Sequence, residues 1–323
     1  KAGAFLLQHS HFYIKDGANV IIDNNLGAGK GGGFYMTYNH NLDQEMTGCN
    51  SNSNSNNNNN NLINQTTKKI LTELTNVVTL TIQDFGSKLI VSNNEACVGG
   101  GIYIDTGESH TGTCGQSTGS DWIPLLSVIN VKHGGVLDVR NNRAYCDALL
   151  TKMSLEGTGG GMYIFQSTLN IQGLNTKVLL SKNHADIQGG GMLVSGGLIN
   201  VLDGGGIELY KNHADTGGGL FLLQSKSLLQ VRGQDSHLVV AGNTAVIRSG
   251  GMHVVFEARV EIFDGSKARF SDNRATREGG GLLLEDGGSF MMIDRRQPRT
   301  TMHWSVADQS CGKKTSPCPK KNK

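Results

Sequence analysis

Proline is scarce in this chain, with 4 residues in 323, and charge is both sparse and nearly balanced, with 29 Lys and Arg against 27 Asp and Glu. A formal net charge of +2 excludes a domain built as a whole to hold nucleic acid or another polyanion. No apolar stretch approaches the roughly 18 residues of a membrane-spanning helix, so no such span is expected. Charged residues make up 17% and hydrophobic residues 37%, a ratio that excludes a disordered chain and leaves a core to bury. The abundant residue is Gly, at 45 copies, about twice its usual share. With so little Pro and without a strict three-residue period, that excess does not describe collagen.

The Gly residues are arranged in a repeat. Asn94 is followed by Gly99-Gly100-Gly101-Ile102-Tyr103-Ile104, Asn183 by Gly189-Gly190-Gly191-Met192-Leu193-Val194, and Asn212 by Gly217-Gly218-Gly219-Leu220-Phe221-Leu222. Asn273 precedes Gly279-Gly280-Gly281-Leu282, Asn243 precedes Ser249-Gly250-Gly251-Met252, and Asn25 and Asn142 begin two further copies. From Asn183 onward the Asn spacings are 29, 31 and 30, a period that means a solenoid.

Each copy holds three short stretches in which apolar residues alternate with others. Examples are Val178 and Leu180 before the Asn, Met192 and Val194 after the Gly cluster, and Ile199 and Val201 beyond them. The last copy of the third set is read as Met291 and Ile293. Period-two alternation means strands with one buried face. Helix pairs of the same period are disfavoured, since three Gly in every copy would each cost a helix about 1 kcal/mol. The expected fold is all-β: a parallel β-helix of about eight coils with three short strands each, each strand pairing one coil away at about 4.8 Å.

Phe270-Ser271-Asp272-Asn273 followed by Gly279-Gly280-Gly281-Leu282 resembles the paired FxxN and GGA[ILV] repeats of the chlamydial polymorphic outer membrane proteins and related pectin-lyase-like surface proteins. The resemblance spans residues 2 to 293. The third small residue here is Gly rather than Ala, and no membrane barrel follows. The resemblance implies a right-handed β-helix at the cell surface or outside the cell, often an adhesin, and does not imply an enzyme.

Stacked coils place Asn25, Asn94, Asn142, Asn183, Asn212, Asn243 and Asn273 in one column, where their amides are expected to hydrogen-bond as a ladder. The same Asn residues are expected to take the left-handed backbone of the turn, as the Gly clusters do at the next corner. The outward position of the strand after each Gly cluster carries Tyr35, Tyr103, Tyr163, Leu193, Phe221, His253 and Leu283. An apolar stripe there indicates a covered surface, covered either by a second subunit or sugar rings, or by the chain's own insertions.

Cys97 and Cys146 follow their Asn residues in consecutive copies, a placement that suits a disulfide. Cys49 with Cys114 and Cys311 with Cys318 are the other expected pairs, with Cys97 to Cys114 as a competing connectivity. Without CxxC spacing, zinc is disfavoured. Disulfides and the sequon at Asn64 favour an oxidising setting.

His184-Ala185-Asp186 and His213-Ala214-Asp215 repeat in adjacent copies, but turns that differ by one residue favour a surface repeat over an acid–base pair. His9 and His11 offer too few ligands for a metal.

Insertions are expected near 37–75, which contains the run Asn56 to Asn61, and near 105–124 and 145–158. Residues 1–293 form the β-helix. Residues 294–323 form a basic Cys- and Pro-containing tail or cap, with eight Lys or Arg against Asp294 and Asp308. The match of Gly3-Ala4-Phe5-Leu6-Leu7 to Gly219-Leu220-Phe221-Leu222-Leu223 starts the chain inside a coil, as a segment of a longer polypeptide would.

The expected role is non-catalytic, with no catalytic, cofactor or metal residues assigned. The chain would be an extracellular or cell-surface structural or adhesive protein, a rigid segment of a matrix or filament. Its partners would be other protein subunits or surface glycans. The alternative is a polysaccharide lyase, glycoside hydrolase or glycan-binding module on the same fold.

Overall fold

The computed structural model describes residues 3–8, 10–37, 77–106, 127–146 and 157–293. The tail, most of each insertion, and Cys49, Asn64, Cys114, Cys311, Cys318 and His9 lie outside the described residues. Every regular element described is a strand, and the strands form four parallel sheets of 8, 8, 7 and 7 members, as in a β-helix.

One repeat shows the layout. Met192–Ser195 lies in sheet I, Leu198–Leu202 in sheet II, Gly206–Tyr210 in sheet III and His213–Thr216 in sheet IV, after which the chain returns to sheet I at Leu220–Leu223. Equivalent residues stay in register, with Leu193 beside Phe221 and Asn200 beside Gln230. Alternation sends Ile199 and Val201 into the interior, where they join Met192, Val194, Ile207 and Leu209 in one continuous core. Removing each such side chain from water contributes about 1.5–3 kcal/mol.

Sheet IV is an addition to the three strands expected per coil. Three of its members, Arg143–Ala144, His184–Ala185 and Arg274–Ala275, have two residues each, too short to show alternation. Their inward residue is Ala, and Ala144, Ala185 and Ala214 form a separate small core. Ala is used because sheet IV runs against the Gly clusters with no room between them. A Cβ placed on Gly160 would lie 2.3 Å from the His184 carbonyl oxygen, and one on Gly161 would lie 2.7 Å from Nδ2 of Asn183. Gly159, by contrast, takes a left-handed backbone with φ of 67°. The three Gly residues therefore serve three separate needs.

Three further expectations are corrected. The left-handed residue at the Asn corner is the one before the ladder Asn: Asn93, Asn141, Lys182 and Lys211 have φ of 54–55°, whereas the ladder residues are not left-handed. In the last described strand Phe290 and Met292 pair with the buried Val260 and Ile262, which leaves Met291 and Ile293 outward and exposed. All four residues are apolar, so their alternation carries no phase. At the other end Phe5 pairs with Phe34, the equivalent of Leu220, so Leu6 points outward and Leu7 inward. The sequence match was displaced by one residue, which in a strand exchanges the two faces.

Candidate functional site

The stripe after the Gly clusters lies on the outer face of sheet I. It is not presented to solvent: Tyr103, Tyr163, Leu193, Phe221 and His253 are 0–4% exposed in the isolated chain. Val98 and Val255 join the first four of these in a second hydrophobic core, with Tyr35 and Cys97 packed against it. Sheet I is thus buried on both faces. Its rings meet edge to face, at 5.3 Å for Tyr35–Tyr103, 5.2 Å for Tyr103–Tyr163 and 4.9 Å for Phe221–His253. Leu283, at the end of the stripe, is half-buried. The covered surface expected from the sequence is covered by the chain itself, which removes the stripe as a free face for a subunit or a sugar.

The Tyr35 end of the stripe is polar. The Tyr35 hydroxyl donates to Asp105 at 3.3 Å, Lys30 reaches the same carboxylate at 3.4 Å, and the Lys30 ammonium sits 4.5 Å from the centre of the Tyr103 ring. Burial, with the Asp105 carboxylate second, pushes Tyr35 up to about 12 and raises Tyr103 as well. Burial also holds Tyr163 at about 12. None of these phenols is prepared to lose a proton near neutrality.

The seven Asn residues form an unbroken column. From Asn94 to Asn273 the Oδ1 of each accepts the backbone N–H and the side-chain N–H of the Asn one coil earlier, at 2.8–3.1 Å. The Nδ2 of Asn183 also donates to the Val139 carbonyl at 3.0 Å, and five other members make the equivalent bond. Asn94 to Asn273 are at most 4% exposed, so every polar atom of this interior column needs a partner and finds one in its neighbour. A second, half-exposed column lies on the outer face of sheet II, where Asn200 donates to Asn170 and Asn170 to Asn130, both at 2.9 Å.

Cys97 and Cys146 are bonded to each other, with Cα atoms 4.5 Å apart, and the bond joins adjacent coils beside the second core. His184 and His213 pair across sheet IV with their rings stacked at 5.0 Å. Asp186 meets His184 at 3.2 Å and Arg143 at 3.8 Å. Burial, followed by the adjacent His184, lowers the affinity of His213 for a proton.

The strongest polar cluster lies on the outer face of sheet III and was not among the residues singled out from the sequence. Glu208 accepts from Lys177 at 3.0 Å, from the Tyr210 hydroxyl at 2.9 Å and from His237 at 3.3 Å. His237 reaches it by lying over Gly206, where a Cβ would sit 2.2 Å from the ring nitrogen. The His237 bond and the Lys177 and Tyr210 bonds hold Glu208 at about 2, while burial and then Glu208 push Tyr210 up to about 12. The legible signal was register, because Lys177, Gly206 and His237 are equivalent residues of three successive coils.

Among the described residues no group of three or more His, Cys, Asp or Glu is placed to hold a metal ion. No helix among them is long and apolar enough to cross a membrane. No protein-family model, no curated protein and no solved structure matches the chain.

Proposed function

We propose that the chain is a non-catalytic structural or adhesive protein, a rigid right-handed β-helix of about eight coils, roughly 40 Å long at about 4.8 Å per coil. It serves outside the cell or at its surface as a segment of a matrix, filament or adhesin. The observation that carries this reading is the buried Asn column from Asn94 to Asn273, which binds each coil to the next along its whole length. A chain tied to itself in this way resists bending and gains nothing in chemistry.

The Cys97–Cys146 bond supports an oxidising compartment. The Glu208 cluster also supports a structural role. Three donors hold its carboxylate at about 2, the reverse of what a general acid for glycan cleavage requires, and its tyrosine is held above the usual phenol range. The FxxN- and GGA-like motifs agree with a surface location by resemblance alone.

Labelling unpermeabilised source cells with an antibody against the chain tests the location, and negative-stain microscopy of the purified protein tests the rod. Surface label together with straight rods supports the reading. Intracellular label, or depolymerisation of polygalacturonate or alginate by the purified chain, overturns it.

A further inference from the structure

One repeat departs from the others at two positions that face each other. In the six other copies that follow an Asn of the column the first residue of the Gly cluster is Gly, and the stripe residue four places on is aromatic or aliphatic. Here they are Ser249 and His253. Ser249 keeps the left-handed backbone, at φ of 51°, that Gly supplies elsewhere. In equivalent coils a Cβ at the first position falls 2.8 Å from the Cβ of Tyr163 or Leu283, so the Ser249 and His253 side chains share one small space.

That space is buried. Ser249 is 0% and His253 4% exposed. Ser249 Oγ and His253 Nδ1 are the two buried side-chain polar atoms without a hydrogen-bond partner among the described residues. An unmet polar atom at such depth costs about 1–3 kcal/mol. Both fall in one coil, at a place where Phe221 and Tyr163 satisfy the same geometry without cost.

The other edge of the ring joins the next coil. His253 Nε2 meets Glu285 Oε2 at 2.9 Å, and Arg248 reaches both oxygens of Glu285 at 3.1 and 3.2 Å and Glu278 at 3.3 Å. With its hydrogen on Nε2, the neutral ring donates to Glu285 and leaves a bare lone pair on Nδ1. The charged and titratable groups around the ring are Glu285 and Asp286 from the turn after Leu282–Leu284, and Arg248 from the end of Thr244–Arg248. Leu220–Leu223 presents Phe221, and Leu282–Leu284 presents Leu283.

We propose that His253 and Glu285, beside the buried Ser249, form an acid-sensitive clasp between the last two described coils, closed when the imidazole is neutral and opened when Nδ1 takes a proton from solvent. The new N–H would bring a positive charge into the buried space beside Ser249. Burial already lowers the proton affinity of His253, with Glu285 opposing. The folded chain therefore binds this proton less readily than the unfolded chain does. Stability is greatest above the ordinary imidazole range and falls as pH drops through that range toward the lowered value. The coil of Leu282–Leu284 responds first because it carries Glu285, the partner that the His253 ring holds. The clasp rests on coil-to-coil geometry and does not depend on where the protein resides.

Hydrogen exchange of the full chain at pH 7 and pH 5, corrected for the intrinsic pH dependence, tests the clasp. Amides of 282–293 are expected to lose about tenfold protection at pH 5, while Met192–Ser195 and Leu198–Leu202 keep theirs. His253→Phe, which restores the residue found at position 221, is expected to abolish the difference. Ser249→Gly is expected to raise protection at both pH values and retain the difference. Wild-type protection that does not change with pH, a loss equal in all coils, or a loss that persists in His253→Phe would each overturn the proposal.

Discussion

The Asn212 side-chain oxygen accepts both the backbone N–H of Asn183, at 2.9 Å, and its side-chain N–H, at 3.1 Å. Asn212→Ala strands both donors, together with the Leu180 carbonyl that Asn212 itself serves, at a site 0% exposed. The expected loss is about 3 kcal/mol, read as a lower urea midpoint. Asn25→Ala, at the half-exposed end of the column, is expected to cost under about 1 kcal/mol. Equal losses at the two positions would remove burial as the reason for the ladder's strength.

Two Gly substitutions separate crowding from backbone conformation. Gly160→Ala places a methyl group 2.3 Å from the His184 carbonyl oxygen and can be accommodated only by moving a coil, so a loss above about 3 kcal/mol is expected. Gly265→Ala meets nothing within 4 Å, but sits at φ of 81°, for which the cost is about 1 kcal/mol. Thermal melts of the two variants check the order.

Tyr163→Ala is expected to destabilise the single chain by about 3–5 kcal/mol, as a core deletion does, without changing its oligomeric state. Calorimetry and light scattering on the same sample distinguish this from an interface role. A shift in assembly with no change in melting would return the stripe to the surface.

The Glu208 cluster sets an acid limb and a mild alkaline one. Glu208 lies well below its usual value, so its contribution is present above the ordinary carboxylate range and is lost as pH falls toward about 2. The affinity of His237 is raised, chiefly by its bond to Glu208, so its contribution is present below the ordinary imidazole range and fades as pH climbs through the raised value. Glu208→Gln is expected to flatten both limbs of a stability–pH profile, and an unaltered profile would show that the cluster is energetically idle.

Cys97 and Cys146 close a loop across 49 positions, for which chain-entropy arguments give about 4 kcal/mol. Replacing both with Ser is expected to lower stability by about that amount, and reduction of the native protein should do the same. A smaller loss would mean that the reduced, unfolded chain keeps structure between these two positions.

The amino-acid sequence by itself determined the repeat, the parallel β architecture and the residues of the Asn column. A solenoid copies one local solution many times, so a period of about 30 and an alternation of two survive in the letters. Only the tertiary structure decided what depends on distances between coils. The two-residue strands of sheet IV are too short for any period, and the phase of Phe290 to Ile293 is absent from four apolar letters. Gly160 and Gly161 read as turn residues until the His184 carbonyl and Asn183 amide were found against them. The stripe showed the same limit: alternation correctly turned Tyr103 and Phe221 away from the main core, but it does not record a second core on the other side of the sheet. Polar partners such as Glu208 and His237, or His253 and Glu285, meet through register between coils 29 and 32 residues apart, a relation that exists once the chain has been wound.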